Sequence, residues 1–387
     1  ALGDKNINYF SSFPSKNISK KNIPCFVAHT TKETHNTLIN NLSKSPMYTG
    51  KIKAIGPRYC PSVEDKVVRF KDNPSHQLFL EPEWENSNQI YINGFSTSMP
   101  LEVQEAALRT IKGLEKMELI RPGYAIEYDY FPSRQLKSTL ESKNIAGLYL
   151  AGQLNGTSGY EEAAAQGLVA GASAGLKILN RERLDLDRTN SYIGVLVDDL
   201  ITKNINEPYR MFTSRAENRL YLRQDNALLR IGPLAIKANL LPKNKAHYFN
   251  NYLKTYLDAR SRLIKTKVRL NKKTLSAWAY LKRSDIKISS MEECKKLGVD
   301  EKMAFSLETE SKYEGYISIQ NHKNSKIKSL EKVAIPENID YKKIKNLSHE
   351  AIEKLLSVRP ETIFQASRID GVRQSDIAIL SFYINRR

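Results

Sequence analysis

The sequence has little cysteine and no long apolar run, and each shortage excludes a class of protein. Its 387 residues include three cysteines, Cys25, Cys60 and Cys294, too few and too scattered for a disulfide framework or a zinc site. We therefore expect no bound metal and a reducing compartment. No apolar run approaches the roughly 18 residues that a membrane-spanning helix needs, and Ala1–Lys5 lacks the apolar core of a signal peptide. These absences predict a protein that is not held in a membrane.

What the chain has in excess is positive charge. Its 60 Lys and Arg residues outnumber its 42 Asp and Glu residues, which gives a formal net charge of +18. A polyanionic partner such as a nucleic acid fits this excess, although a lysine-rich proteome would produce it as well. The chain is 41% apolar, enough to bury a core, and its length predicts two or three domains.

Residues 147–167 predict a buried strand, a glycine-rich turn and a helix of small residues that runs to about Leu176. Leu148–Leu150 suit an apolar strand, and Gly152, Gly156 and Gly159 let the backbone turn without Cβ clashes. A helix that begins after such a turn offers free N–H groups to an anion, which suggests a phosphate-bearing cofactor. The stretch has neither G-x-G-x-x-G nor Walker spacing. Spacing alone therefore leaves a cofactor loop and a tight packing turn equally open.

Apolar periodicity and turn residues predict the elements of the first third of the chain. We expect a strand over Cys25–His29, a helix from Thr30–Thr34 to about Leu42, a hairpin of Gln77–Glu81 and Gln89–Asn93, a helix over Leu101–Met117 and a strand over Arg121–Tyr130.

Cys60 lies between two prolines in Gly56–Lys66. Arg58 and Lys66 would stabilise its thiolate if they also lie close in space, and a thiolate is a nucleophile at neutral pH. The residues alone leave a second interpretation open, in which Cys60 is a small buried thiol in a turn.

Arginines recur in Glu207–Arg223, where Arg215, Arg219 and Arg223 are spaced by four residues. On a helix this spacing gives one basic stripe suited to a phosphate backbone, unless nearby acidic residues pair with it. For the acidic pair Asp198 and Asp199 we expect solvation or backbone capping, because adjacent side chains point in different directions.

The amino-acid sequences of four stretches closely resemble the MnmG/GidA family, flavoproteins that modify the wobble uridine of tRNA. The stretches are Gly56–Lys66, Ala151–Gly167, Glu207–Arg223 and the helical end through Arg359–Gly371. The resemblance implies an α/β fold with the C-terminal part of a Rossmann-type FAD-binding domain, an inserted α/β subdomain and an all-helical C-terminal region. We expect the family's N-terminal Rossmann segment to precede residue 1.

The resemblance also implies four regions. They are the inserted subdomain with the Cys60 motif at 1–120, the C-terminal part of the FAD-binding domain at 121–190, a basic tRNA-facing segment at 191–240 and a partner-docking helical region at 241–387.

The activity implied is joint with the GTPase partner MnmE. It adds a carboxymethylaminomethyl or aminomethyl group at C5 of the wobble uridine, with FAD as redox carrier and with NADH and methylene-tetrahydrofolate as co-substrates. We expect a homodimer in the bacterial cytoplasm, or in the mitochondrion if the source is a eukaryote. Two alternatives stay open, a folate- and FAD-dependent tRNA uracil methyltransferase and, for this chain taken alone, a tRNA- or partner-binding module without activity.

Site residues follow from the same resemblance. Cys60 is the expected catalytic thiol, and Arg58, Arg210, Arg215 and Arg219 are expected to bind tRNA. The residues expected to line FAD are Gly152, Gln153, Asn155, Gly156, Thr157, Gly159, Tyr160 and Glu161.

Overall fold

The computed structural model describes residues 1–3, 13, 23–46, 48–50, 62–125, 129–203, 205, 207–270, 273–292, 297–331 and 333–385. The predicted site residues Arg58 and Cys60 lie outside these ranges. The chain divides into two compact units, Ala1–Asp129 and Tyr130–Arg387. The predicted division into four regions, with its first boundary at residue 120, stays a prediction.

The first unit contains an antiparallel sheet of three strands in the order β1-β2-β3. The strands are β1 (Phe26–His29), β2 (Gln77–Pro82) and β3 (Ile90–Asn93), paired so that Val27 faces Phe79 and Leu80 faces Ile92. The strand predicted over Cys25–His29 and the predicted hairpin are both confirmed, the strand beginning at Phe26.

The described residues of the first unit also form three α-helices, α1 (Lys32–Asn40), α2 (Val63–Arg69) and α3 (Leu101–Arg109). Thr31 caps α1, because its Oγ1 accepts from the Thr34 backbone N–H at 3.1 Å. The helices and the sheet enclose one apolar core, whose buried residues include Leu38, Val67, Leu78, Val103 and Ile111.

Two predictions for the first unit are wrong. The helix expected to reach Met117 ends at Arg109, where the Thr110 hydroxyl donates to the Ala107 carbonyl at 2.6 Å and local bonding replaces the helical ladder. The strand expected over Arg121–Tyr130 is not formed by its described residues 121–125 and 129–130. There the Gln104 side chain bonds Gly123 on both sides, at 2.8 Å to its N–H and 2.9 Å to its carbonyl.

The second unit begins with a loop region, followed by helices α4 (Tyr160–Ile178) and α5 (Tyr192–Thr202). Helix α4 confirms the predicted small-residue helix. The strand expected at Leu148–Leu150 is reduced to an isolated bridge between Tyr149 and Glu141. The core of this region consists of Leu136, Leu140, Val169, Ala170, Val197 and Ile201.

The rest of the second unit is helical, as predicted, with a small hairpin added. Its elements are α6 (Ala227–Lys237), α7 (Lys243–Lys265), β4 (Lys267–Leu270), β5 (Lys273–Ser276), α8 (Ala277–Tyr280), α9 (Glu301–Glu331), α10 (His349–Val358), α11 (Ile363–Ser367) and α12 (Gln374–Asn385). Helices α7 to α9 share a core around Trp278 and Leu307, and α10 to α12 share another around Leu355 and Leu380. Within the described part of the chain, no helix combines the length and apolar character that a bilayer crossing requires.

Candidate cofactor and RNA-binding site

The glycine-rich bend between Ala151 and α4 is shaped by its glycines. Gly152 and Gly156 have φ of +86° and +78°, a region that side chains with a Cβ rarely adopt. A Cβ at Gly156 would also lie 2.7 Å from the Tyr130 ring, and one at Gly159 would lie 1.8 Å from Glu162 Oε2. The bend therefore needs these residue types for its own shape.

Gln166 holds the bend from inside, from the second turn of α4. Its side chain is fully buried, and its Oε1 accepts from the Gly152 N–H at 3.2 Å and from Asn155 Nδ2 at 2.8 Å. Its Nε2 donates to Thr157 Oγ1 at 2.9 Å and to the Glu162 carbonyl at 3.1 Å. The sequence analysis missed this residue. The available signal was a long amide side chain within the small-residue stretch of α4.

The predicted cofactor residues differ in exposure. Asn155 and Thr157 are buried, and their side chains bond within the bend, to the Leu150 carbonyl at 2.9 Å and the Gly152 carbonyl at 3.1 Å. Their contribution is to hold the backbone in place. Gln153, Gly156 and Gly159 are half-buried, whereas Tyr160 and Glu161 are exposed.

The start of α4 fits an anionic ligand. Gly159 provides no side-chain cap, and the first N–H groups of a helix have no intrahelical acceptor. The Glu162 carboxylate lies against Gly159, and its Oε1 accepts from the Met211 N–H at 2.7 Å. Asn155 Oδ1 is buried and has no donor among the described residues. A helix start without a side-chain cap, beside glycines, suits the phosphate groups of a ligand.

The bend is paired directly with the start of the arginine-rich segment. Tyr209 donates its N–H to the Gly156 carbonyl at 2.7 Å and accepts from the Ser158 N–H at 2.9 Å, which makes a parallel bridge with Thr157. Two sequence motifs separated by about fifty residues therefore meet through the backbone in one place.

The predicted helical arginine stripe is wrong. Thr213–Arg215 form a single 3₁₀ turn, and turns continue to residue 222, since Ala216 and Leu222 are drawn into an apolar cluster with Val195. The spacing of four residues therefore does not place the arginines on one face.

The four arginines differ in their partners. Arg210 and Arg219 are exposed, with no hydrogen-bond or ion-pair partner for their guanidiniums in the described residues. Arg215 lies 4.3 Å over the Tyr209 ring and donates Nε–H to the Arg210 carbonyl at 2.9 Å. Arg223 makes a bidentate pair with Asp225, at 2.9 Å for each bond. Arg210 and Arg219 are thus free to bind phosphates, and Arg223 is already neutralised.

Asp198 and Asp199 are buried against Arg188, so the predicted solvation or backbone capping of these carboxylates is wrong. Arg188 Nη1 lies 3.0 Å from Asp198 Oδ2 and 2.6 Å from Asp199 Oδ1, because one guanidinium nitrogen can serve two adjacent carboxylates. Its Nη2 binds Glu217 at 2.9 Å. Burial alone would lower the pKa of Arg188, but these three carboxylates raise it.

This cluster, which we call the Arg188 junction, also includes Tyr209 and Arg368. The Tyr209 hydroxyl donates to Asp199 Oδ2 at 2.9 Å, and its burial and the neighbouring carboxylate raise its pKa. Arg368 of the C-terminal bundle reaches Glu217 at 2.9 Å. Glu217 of the arginine-rich segment is therefore bound both by Arg188, which precedes α5, and by Arg368 of the C-terminal bundle.

Metal binding has no support in the described residues, where no cluster of His, Cys, Asp or Glu could hold an ion.

Comparison with known proteins gives consistent matches. The sequence model described as "Glucose inhibited division protein A" matches residues 1–182. Two models described as the "tRNA modifying enzyme MnmG/GidA" C-terminal helical domain and C-terminal helical bundle match residues 244–321 and 323–387.

Curated relatives carry the name "tRNA uridine 5-carboxymethylaminomethyl modification enzyme MnmG". That of Karelsulcia muelleri (strain GWSS) is 46% identical over 399 residues, which is 100% of this chain and 64% of the relative. That of Enterococcus faecalis is also 46% identical, over 99% of this chain and 64% of the relative. A solved structure of Aquifex aeolicus GidA superposes with a TM-score of 0.80 at 42% identity, over 96% of this chain and 60% of that one. The chain spans less than two thirds of the length of these relatives.

Proposed function

Because the chain belongs to the MnmG/GidA family, we propose that it carries the glycine-loop part of an FAD site and the tRNA-binding arginines of a wobble-uridine-modifying enzyme. The observation that carries this proposal is the backbone pairing of Tyr209 with Gly156 and Ser158. It brings a bend suited to an anionic cofactor beside a segment with unpaired arginines.

Gly152, Gly156 and Gly159 leave room for FAD, and the uncapped start of α4 faces its phosphates. Gln153, Tyr160 and Glu161 line the cofactor from the more exposed side of the bend, while Asn155 and Thr157 hold the backbone. FAD supplies hydride transfer when bound. NADH as reductant and methylene-tetrahydrofolate as one-carbon donor complete the set of co-substrates.

Arg210 and Arg219 bind the phosphates that flank the anticodon base, because their guanidiniums are exposed and unpaired in the described structure. Arg215 adds a positive charge that Tyr209 positions, and Arg58 contributes from the Cys60 motif. A base splayed out of the anticodon loop would then reach the flavin-side surface.

Cys60 is the proposed nucleophile. A thiolate that adds to C6 of the uridine makes C5 nucleophilic, and C5 must react with the one-carbon unit. This role depends on the resemblance of Gly56–Lys66 to the family motif.

The C-terminal bundle of α10 to α12 is the proposed docking region for the MnmE-type GTPase, in a homodimeric cytoplasmic enzyme. The bundle has its own core, and Arg368 connects it to the arginine-rich segment.

Nucleoside analysis of tRNA from cells that depend on the complete protein tests this proposal. We expect Cys60→Ser to abolish the carboxymethylaminomethyl or aminomethyl group on the wobble uridine. Cys25→Ser is the matched control, because Cys25 is a free, half-buried thiol, and we expect it to leave the modification intact.

Other outcomes separate the alternatives. Loss of a C5-methylated uridine in the Cys60 variant would identify a uracil methyltransferase instead. A complete protein that binds tRNA but never takes up excess FAD would identify a binding module. Unchanged modification in Cys60→Ser would remove Cys60 from the mechanism.

A further inference from the structure

A cleft of about 340 Å³ lies between the loop at residues 132–144 and the C-terminal end of α10. Its lining includes the basic side chains Arg134, Lys143 and Arg359 together with the amide side chains of Gln135 and Asn144. The cleft belongs to the second unit and lies outside both the glycine-rich bend and the arginine-rich segment.

Positive charge in the cleft is not balanced by acidic partners. Lys143 Nζ donates to two backbone carbonyls, of Arg134 at 3.0 Å and of Val358 at 2.6 Å. In the described part of the chain, neither arginine side chain makes a hydrogen bond or an ion pair, and Lys143 has no carboxylate within ion-pair distance. Glu361, the acid whose charge acts on Lys143, instead accepts from the Ser138 hydroxyl at 2.6 Å.

The state of Lys143 reflects this imbalance. Burial lowers its pKa to about 8, and the charge of Arg359 opposes the help it receives from Glu361. A half-buried ammonium without an anion beside it is unfavourable. Capping of the C-terminal end of α10 explains why Lys143 donates to the Val358 carbonyl. It does not explain why the two arginines beside Lys143 are unpaired.

We propose that this cleft binds a phosphate group, through the ammonium of Lys143 and the guanidinium forks of Arg134 and Arg359. Three cations suit an anionic phosphate, and guanidiniums match phosphate oxygens in pairs. The volume exceeds that of one phosphate, so the attached sugar can lie against Gln135 and Asn144. The phosphate can come from an RNA backbone, which would depend on the proposed function, or from a free nucleotide, which would not.

Competitive acetylation of the complete protein, read at Lys143 by mass spectrometry across pH, tests the proposal. Inorganic phosphate, uridine 5′-monophosphate and tRNA are the probes, and acetate at matched ionic strength is the reference. A bound phosphate raises the pKa of Lys143, and a rise of one unit from about 8 slows its labelling at pH 8 roughly fivefold.

The variant Arg134→Gln/Arg359→Gln leaves Lys143 and its two hydrogen bonds to carbonyls in place, so acetylation of Lys143 can still be measured. We expect the half-saturating phosphate concentration to rise at least about tenfold in this variant. The control Lys342→Gln/Lys354→Gln also removes two charges, from exposed residues near and on α10, and we expect it to match the wild type.

Protection by tRNA at concentrations where the nucleotide has no effect assigns the cleft to RNA, and protection by the nucleotide alone assigns it to a free phosphate ester. Both outcomes support the proposal. It is overturned if no phosphate changes Lys143 labelling beyond acetate, or if the double arginine variant is protected like the wild type. If tRNA still binds in that case, the cleft proposal alone has failed and the proposed function stands.

Discussion

Replacing Arg188 by Met should destabilise the second unit strongly, because it removes the central cation of the Arg188 junction. The Arg188 side chain is 3% exposed and lies within 3.0 Å of both Asp198 and Asp199. Without it, Arg368 at 3.6 Å becomes the nearest cation to Asp198 among the residues that the structure describes. Breaking a buried ion pair in this way costs about 3–5 kcal/mol of folding free energy.

Thermal unfolding followed by circular dichroism measures the effect. In a unit of this size, a loss of 3–5 kcal/mol corresponds to a fall of roughly 6–20 °C in Tm. Arg283→Met is the matched control, because Arg283 and its partner Asp285 have side chains that are 53% and 61% exposed. Exposed pairs contribute less than about 1 kcal/mol.

The loss of folding free energy in Arg188→Met should depend on pH. Burial alone would raise the pKa of Asp199, but Arg188 and Lys203 lower it. A carboxyl with a lowered folded pKa stabilises the protein above its unfolded pKa, and this stability disappears as pH falls through the folded pKa. The gap in stability between wild type and Arg188→Met should therefore narrow as pH falls below about 4, the ordinary pKa of an aspartate. A variant as stable as the control at pH 7, or a gap that does not change with pH, would refute this reasoning.

Two further predictions separate the arginines of the basic segment by their partners. Arg219→Ala should weaken tRNA binding and reduce the salt dependence of log K by about one unit of slope, since its exposed guanidinium would lose one phosphate contact; equal slopes in the variant and the wild type would contradict this. Arg223→Ala should instead leave the slope unchanged and lower Tm, because it leaves Asp225 without its bidentate partner; a changed slope at unchanged Tm would show that Arg223 contacts RNA.

Sequence patterns correctly predicted the elements that depend on residues close together in the chain. The turn at Gly152 and Gly156, the small-residue helix α4 and the hairpin of β2 and β3 all follow from residue types at short range. The helix predicted from the arginine spacing does not form, because Ala216 and Leu222 are buried in a cluster with Val195 of α5. That contact overrides the helical period.

Long-range partners explain the other failures. Asp198 and Asp199 bind the guanidinium of Arg188, which precedes α5. The residue pattern around the two aspartates does not predict this pairing. The role of Gln166 depends on the bend folding back over the helix. The same holds for the pairing of Tyr209 with Gly156, which joins two motifs that the sequence presents as separate.

The FAD affinity of Gly156→Ala compared with that of Gly171→Ala tests the central claim most directly. Gly156 has φ of +78° and a Cβ there would lie 2.7 Å from Tyr130, whereas Gly171 has nothing within 4 Å. Backbone strain of about 1–3 kcal/mol in Gly156→Ala should weaken FAD binding to the complete protein by roughly fivefold to a hundredfold. Gly171→Ala should bind FAD like the wild type. Equal FAD affinity in the two folded variants would contradict a cofactor site at the glycine-rich bend.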